Sequence, residues 1–254
     1  MFELSVCFEP LFEGKTDVEK IRLIHELGYS AVEFWDLADK DLTGIAEFCG
    51  QNNMSVGICT LQDPWGNNRL HADTDDYIRH FSASLDLLNA VGSQKVIVLT
   101  GEDDGRGLDV QINRIIANLK AVSGIAEEAG VTICLEALNS RVNHKGYLLD
   151  SSTLGFDIVR RVNSPSVKLL FDIYHMQIME GNIISTIREN IDLIGHFHSA
   201  GVPGRNEHFL GELNYPNIFR AIRDTGYGGY FGLEYWPTMD DRESLERVRR
   251  HFLD

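Results

Sequence analysis

Eight short apolar runs alternate with eight segments of helical periodicity along this chain, and no two segments of the same kind are neighbours. The runs cover residues 3–7, 31–34, 55–59, 95–99, 132–135, 169–171, 194–197 and 230–233. Between them, apolar residues recur at three- and four-residue spacing, as at Val18, Ile21, Ile24 and Leu27, which is the signature of an amphipathic helix. These segments span about 17–27, 42–51, 75–91, 109–129, 152–162, 183–192, 215–225 and 242–252. Asp17 reads as the N-cap of the first, and Gly28, Gly92, Gly130 and Gly226 stand where helix-terminating glycines belong.

Strict alternation implies a parallel sheet, because parallel neighbours need a crossover connection. Near-continuous apolar strands agree, since a parallel sheet is covered on both faces. Eight such units in 254 residues predict an α/β fold of the (β/α)8 TIM-barrel kind, a single domain over 1–254. An open, doubly wound sheet would want a phosphate-cradling glycine turn after its first strand, and Cys7-Phe8-Glu9-Pro10 is not one.

Four of the runs end in polar residues of one chemical kind. The fifth ends in Glu136, the sixth in Asp172, the seventh in His198 and the eighth in Glu234. Strand C-termini of a barrel converge on one face, so the four can share a centre. A lone Glu at a strand end is more often a solvated loop residue; the coincidence on four strands in one half of the barrel is what points to a site. Three carboxylates packed together repel, at about 1.4 kcal/mol per unit of pKa displacement, and a divalent cation removes that penalty. Oxygen-rich ligation with one imidazole suits Mg²⁺, Mn²⁺ or Co²⁺ better than structural zinc.

Substrate-binding candidates surround these four. His175 follows Asp172 by three residues, close enough to return its ring over the centre. Arg205 sits in the stiff turn Pro203-Gly204-Arg205, where it faces an oxyanion or else pairs with Glu207 at the surface. His196 points to the same side of its strand as His198, as a hydrogen-bonding partner below it or a substrate contact. Trp35 and Trp65 are the aromatic candidates at the mouth, whereas Tyr235 and Trp236 read as packing residues and Cys7 as a buried apolar group.

The charge balance, 38 acidic against 23 basic residues for a net −15, argues against nucleic acid as a partner, which calls for a basic face. The four cysteines form no CxxC pair, as expected of reduced thiols in a cytoplasmic protein. No apolar run approaches the roughly 18 residues of a membrane span, and Met1-Phe2-Glu3 lacks the basic start of a signal peptide. The chain is expected to be soluble, without membrane partners.

Several segments resemble the hydroxypyruvate isomerase group of the xylose isomerase-like barrels. They are Leu135-Glu136-Ala137-Leu138-Asn139-Ser140-Arg141, Gly146-Tyr147, Phe171-Asp172-Ile173-Tyr174-His175-Met176-Gln177, Gly195-His196-Phe197-His198, Val202-Pro203-Gly204-Arg205, Gly211-Glu212-Leu213-Asn214-Tyr215 and Gly232-Leu233-Glu234-Tyr235. The resemblance covers the second half of the chain. It implies that Glu136, Asp172, His198 and Glu234 hold a divalent metal, that Glu136 and Glu234 are the catalytic acid/base pair, and that His175 and Arg205 hold substrate oxygens. The implied activity is interconversion of a small hydroxy-keto acid or ketose with its aldehyde isomer through an enediolate. The related ketose 3-epimerases would use the same machinery, inverting the carbon. Asn143-His144-Lys145-Gly146-Tyr147 and His208-Phe209-Leu210-Gly211-Glu212 depart from the family pattern in loops over the mouth, where substrate is chosen. Two other readings are an abasic-site endonuclease, which this superfamily also contains, and a non-catalytic sugar binder. By analogy with such barrels, the chain is expected to form a homo-oligomer.

Overall fold

In a computed structural model of the chain, which describes residues 2–63, 70 and 72–253, eight strands close into one barrel in sequence order. They are β1 (Glu3–Cys7), β2 (Ala31–Asp36), β3 (Ser55–Thr60), β4 (Lys95–Val98), β5 (Thr132–Glu136), β6 (Val167–Asp172), β7 (Ile194–Ser199) and β8 (Tyr230–Leu233). Every pairing is parallel, and β8 closes on β1 with Phe231 opposite Leu4. Outside lie α1 (Asp17–Glu26), α2 (Leu42–Gln51), α3 (Thr74–Ala90), α4 (Leu108–Ala129), α5 (Ser152–Val162), α6 (Ile173–Met179), α7 (Ile183–Asn190), α8 (Tyr215–Asp224) and α9 (Asp241–Leu253). Among the described residues no helix is long and apolar enough to cross a membrane.

Two helix starts differ from the sequence expectation. Thr16, not Asp17, caps α1: its hydroxyl accepts the Glu19 N–H while the Glu19 carboxylate accepts the Thr16 N–H at 2.8 Å. This reciprocal box satisfies two of the amide donors that every helix start leaves free. The second difference is α6, which raises the helix count to nine among the described residues. It starts immediately after Asp172, whose carboxylate accepts the His175 N–H at 3.1 Å. Its first four residues, Ile173, Tyr174, His175 and Met176, are all buried. A helix this short and this enclosed carries no amphipathic period, so nothing in the sequence separates it from the strand before it.

The ladder register places the prospective site. Asp172 lies opposite His198 across β6 and β7, and His198 lies opposite Gly232 across β7 and β8. A Cβ at Gly232 would run into the Glu33 carboxylate and the His198 ring, so the absent side chain is what lets those groups approach. Outside the barrel wall the core is aromatic: Phe171, Phe197, Phe231 and Phe252 are buried in a chain of edge and stacked contacts.

His208 is fully buried in the loop after β7, its ring 4.7 Å from that of Tyr215 and 5.2 Å from that of Tyr235. The Ser199 hydroxyl donates to the Gly232 carbonyl at 2.7 Å, so it accepts the His208 Nε2–H at 2.9 Å. Burial pushes the imidazole from its ordinary 6.5 down to about 3. A histidine kept neutral in the fold but free to charge in the unfolded chain makes stability fall as pH drops below about 6.5. At pH 5 the loss from this one group is about 2 kcal/mol. Urea unfolding at pH 7.5 and pH 5 is expected to show it, and His208→Gln is expected to shrink the difference between the two pH values by that amount; an unchanged difference would refute the assignment.

Candidate active site

Glu136 is the last residue of β5, Asp172 the last of β6, His198 the penultimate of β7, and Glu234 follows β8 directly. All four are buried, and one ligand atom from each lies within 4.8 Å of the others. His198 Nδ1 is 3.1 Å from Glu234 Oε2 and 3.5 Å from Glu136 Oε1, while its Nε2 is 3.3 Å from Glu33 Oε1. Arg205 donates through Nη2 to Glu234 Oε2 at 2.6 Å and approaches Asp172 Oδ2 at 3.8 Å. The Trp35 indole N–H donates to the other Glu234 oxygen at 2.6 Å. Trp35 is itself anchored by its backbone N–H on Glu9, whose carboxylate also pairs with Lys40.

Burial and these neighbours push the carboxyls apart. Burial raises Asp172 to about 7, against the pull of Arg205 and with the help of Glu234. Burial likewise raises Glu136, only partly opposed by His198. At Glu234 burial is outweighed by Arg205 and His198, which hold the carboxyl well below its ordinary range. At His198 burial is outweighed in the opposite sense by Glu234 and Glu33, which favour the charged ring. Such a cluster is costly as it stands, and neither His198 nitrogen has a well-directed hydrogen bond. Three carboxylates and one imidazole with close, inward donor atoms fit a hard divalent cation.

His175 has a defined tautomer. Its Nδ1 accepts the Asn139 backbone N–H at 3.0 Å and faces Asn139 Nδ2 at 2.6 Å. The amide cannot be turned over, because Asn139 Oδ1 already accepts the N–H groups of Val142 and Asn143 at 2.9 Å. With donors on both sides of Nδ1, the ring proton sits on Nε2, which is buried, makes no hydrogen bond and has Asp172 Oδ2 at 3.5 Å; His175 lines the cavity. Burial, and then Arg205, hold the ring well below its ordinary pKa, so it is a neutral N–H donor.

The cavity over these groups measures about 210 Å³. Its lining includes Glu136, Glu234, His198, His175 and Arg205 among the polar groups and Ile97, Leu99, Leu138, Trp35 and Trp236 among the apolar ones. Arg205 is stacked between Tyr174 and Trp236, 5.2 and 5.1 Å from the ring centres, with its backbone in the left-handed region at φ 59°. It does not pair with Glu207, which is buried and bound to Thr238 and Ser244.

Three sequence expectations need correction or restriction. His196 does not reach the cavity: it is fully buried beneath His198, its Nε2 3.0 Å from Glu33 Oε2, and burial lowers its pKa to about 4. Of its two expected roles it takes that of a hydrogen-bonding partner below His198 and not that of a substrate contact, because two residues along a strand is a full layer deeper in the barrel. Trp236 lines the cavity and is not a packing residue, whereas Tyr235 is buried with its hydroxyl on Ser244. Trp65 lies outside the described residues. Sequence reasoning missed Glu33 and Asn139. A carboxylate between Val32 and Phe34 inside an apolar run was the available signal for the first; the second had none.

Comparison with known proteins agrees with this architecture. Residues 21–251 match the family described as xylose isomerase-like TIM barrel. A Homo sapiens protein provisionally named a hydroxypyruvate isomerase is 37% identical over 138 residues, 54% of this chain and 50% of that one. A 2-oxo-tetronate isomerase of Cupriavidus necator is 39% identical over 122 residues, 48% of this chain and 46% of that one. The chain thus spans about half the length of these relatives. A crystal structure from Brucella melitensis, titled AP endonuclease, family 2, superposes with a TM-score of 0.89 at 25% identity, covering 98% of this chain and 99% of that one. By its family match and its closed eight-stranded barrel, the chain belongs to the xylose isomerase-like TIM barrels.

Proposed function

We propose that the protein is a metal-dependent isomerase of a small hydroxy-keto acid or ketose, working through an enediolate. The observation that carries this reading is the convergence of Glu136 and Glu234 on the same nitrogen of His198, with environments that push their acidities apart. Pairs of carboxyls separated in this way divide acid and base work. Glu136, Asp172, His198 and Glu234 would hold the divalent metal, Mg²⁺, Mn²⁺ or Co²⁺. When bound, such an ion acts as a Lewis acid on a carbonyl and its neighbouring hydroxyl, making the C–H between them acidic.

Glu136, the more basic carboxylate, takes the C–H proton, and the bonding pair moves to the carbonyl, giving the enediolate. His175 donates its Nε2–H to one substrate oxygen, and Arg205 presents its guanidinium to the negative charge. The substrate hydroxyl passes its proton to the ionised Glu234 as its C–O bond becomes the aldehyde carbonyl; Glu234 delivers that proton to the former carbonyl carbon, and Glu136 returns the one it took to the former carbonyl oxygen. The small cavity and the relatives named for short hydroxy acids support a compact substrate. The acidic net charge and the carboxylate-lined cavity oppose a phosphate backbone, which weighs against abasic-site DNA. The four buried free cysteines support a reducing, cytoplasmic setting.

The test is solvent-deuterium uptake by the metal-replete protein across C3 to C6 ketoses and hydroxy-keto acids. Uptake with formation of the aldehyde isomer supports the reading; uptake with inversion of the same carbon would make the protein a ketose 3-epimerase. No uptake from any bound compound, or nicking of abasic DNA at moderate salt, would overturn it. Asn139→Asp replaces the side-chain donor at His175 Nδ1 with an acceptor while the backbone N–H stays, so it weakens the preference for the ring proton on Nε2. It is expected to lower kcat about 10²-fold with little change in KM; a loss confined to KM would contradict the donor role.

A further inference from the structure

Glu33 lies one layer below the carboxylate cluster and does not itself line the cavity. It is 1% exposed, and its two oxygens meet two different imidazoles: Oε2 is 3.0 Å from His196 Nε2, and Oε1 is 3.3 Å from His198 Nε2. The other nitrogen of His198, Nδ1, is the one turned toward Glu136 and Glu234. The packing reserves this place for a carboxylate, since β8 carries Gly232 where any Cβ would collide with Glu33 Oε1.

We infer that Glu33 is a positioning residue for the metal: its carboxylate, 3.3 Å from His198 Nε2, favours the ring proton on that nitrogen and so keeps the Nδ1 lone pair bare and aimed at the ion. An imidazole has one proton to place when neutral, and a carboxylate on one nitrogen decides that the other is the ligand. His196 completes the arrangement by donating to the second oxygen, which fixes the carboxylate plane. Glu33, His196 and His198 also lie close enough to suggest a second ion. The contact of His196 with Glu33 has hydrogen-bond length, and both side chains are sealed from the cavity, so the trio is read as one ligand and its support.

The inference rests on the metal reading above, and the experiment separates the two. Titration of the purified protein with Mn²⁺ alone, followed calorimetrically, is expected to give one ion per chain. Glu33→Met, close in volume but without an acceptor, is expected to bind it 10–100-fold more weakly. Glu33→Gln is expected to fall between, because an amide can accept from His198 if His196 changes tautomer. Affinity of Glu33→Met within twofold of the unmodified protein overturns the inference and leaves the metal reading standing, as does a second Mn²⁺ bound per chain. Failure of the unmodified protein to bind any Mn²⁺ overturns both. Should Glu33→Met not fold, long-range ¹H–¹⁵N correlation of the histidines in the Mg²⁺-loaded unmodified protein decides: a proton on His198 Nε2 supports the inference, and a bare Nε2 overturns it.

Discussion

Glu136→Gln and Glu234→Gln are each expected to lower turnover by about 10²–10⁴-fold, the range by which a positioned acid or base accelerates proton transfer. Amides fill the same space but cannot carry a proton between substrate atoms. The two variants should nonetheless part company in stability. Glu136 has no guanidinium against it, only the His198 ring at 3.5 Å, and burial outweighs that ring and raises its carboxyl. Neutralising it removes a charge that the site holds at a cost, so the metal-free variant is expected to melt at or above the unmodified protein. Glu234 faces the buried guanidinium of Arg205 at 2.6 Å. Removing its charge leaves that cation without its main counter-ion, at a cost of about 3 kcal/mol, and the variant should melt lower. Thermal melting with chelator present, beside solvent-deuterium exchange with metal restored, checks both halves. Equal melting temperatures would show that the two carboxylates are not electrostatically distinct, and retained exchange in either variant would remove that residue from the proton path.

Arg205→Met is expected to lower kcat/KM by about 10²–10³-fold, as the loss of a preorganised donor to developing negative charge commonly does. Arg205→Lys should recover only part of it. A guanidinium can bind Glu234 and still present N–H groups to a substrate oxygen, and its flat face matches the aromatic slot between Tyr174 and Trp236. An ammonium is a point charge with neither the fork nor the plane. Steady-state kinetics of the two variants measure this directly. Full activity in Arg205→Lys would mean that charge alone suffices and that the stacking is incidental.

Much of the site was legible because a barrel converts sequence position into spatial position. Once the alternation of strands and helices implies eight parallel strands, a polar residue at the end of an apolar run has an address at the mouth. Glu136, Asp172, His198 and Glu234 were found in that way, and their convergence in space follows from the ladder register between β5 and β8. Residues whose role depends on a partner distant in sequence were not legible. Glu33 acquires its meaning only from β7, whose His196 and His198, 163 and 165 residues further on, meet its two oxygens. Asn139 is an ordinary loop residue until α6 turns His175 back toward it.

The amino-acid sequence by itself determined the architecture and the identity of the charged groups at the barrel mouth, because hydrophobic period and strand-end chemistry are local properties. Only the tertiary structure decided how those groups are held. Depth within the barrel separated His198 from His196, the Asn139 contacts placed the His175 proton on Nε2, and the aromatic slot aimed Arg205 at Glu234. Each of these depends on a hydrogen bond or a ring contact between residues far apart in the chain, and such contacts exist only once the barrel has closed.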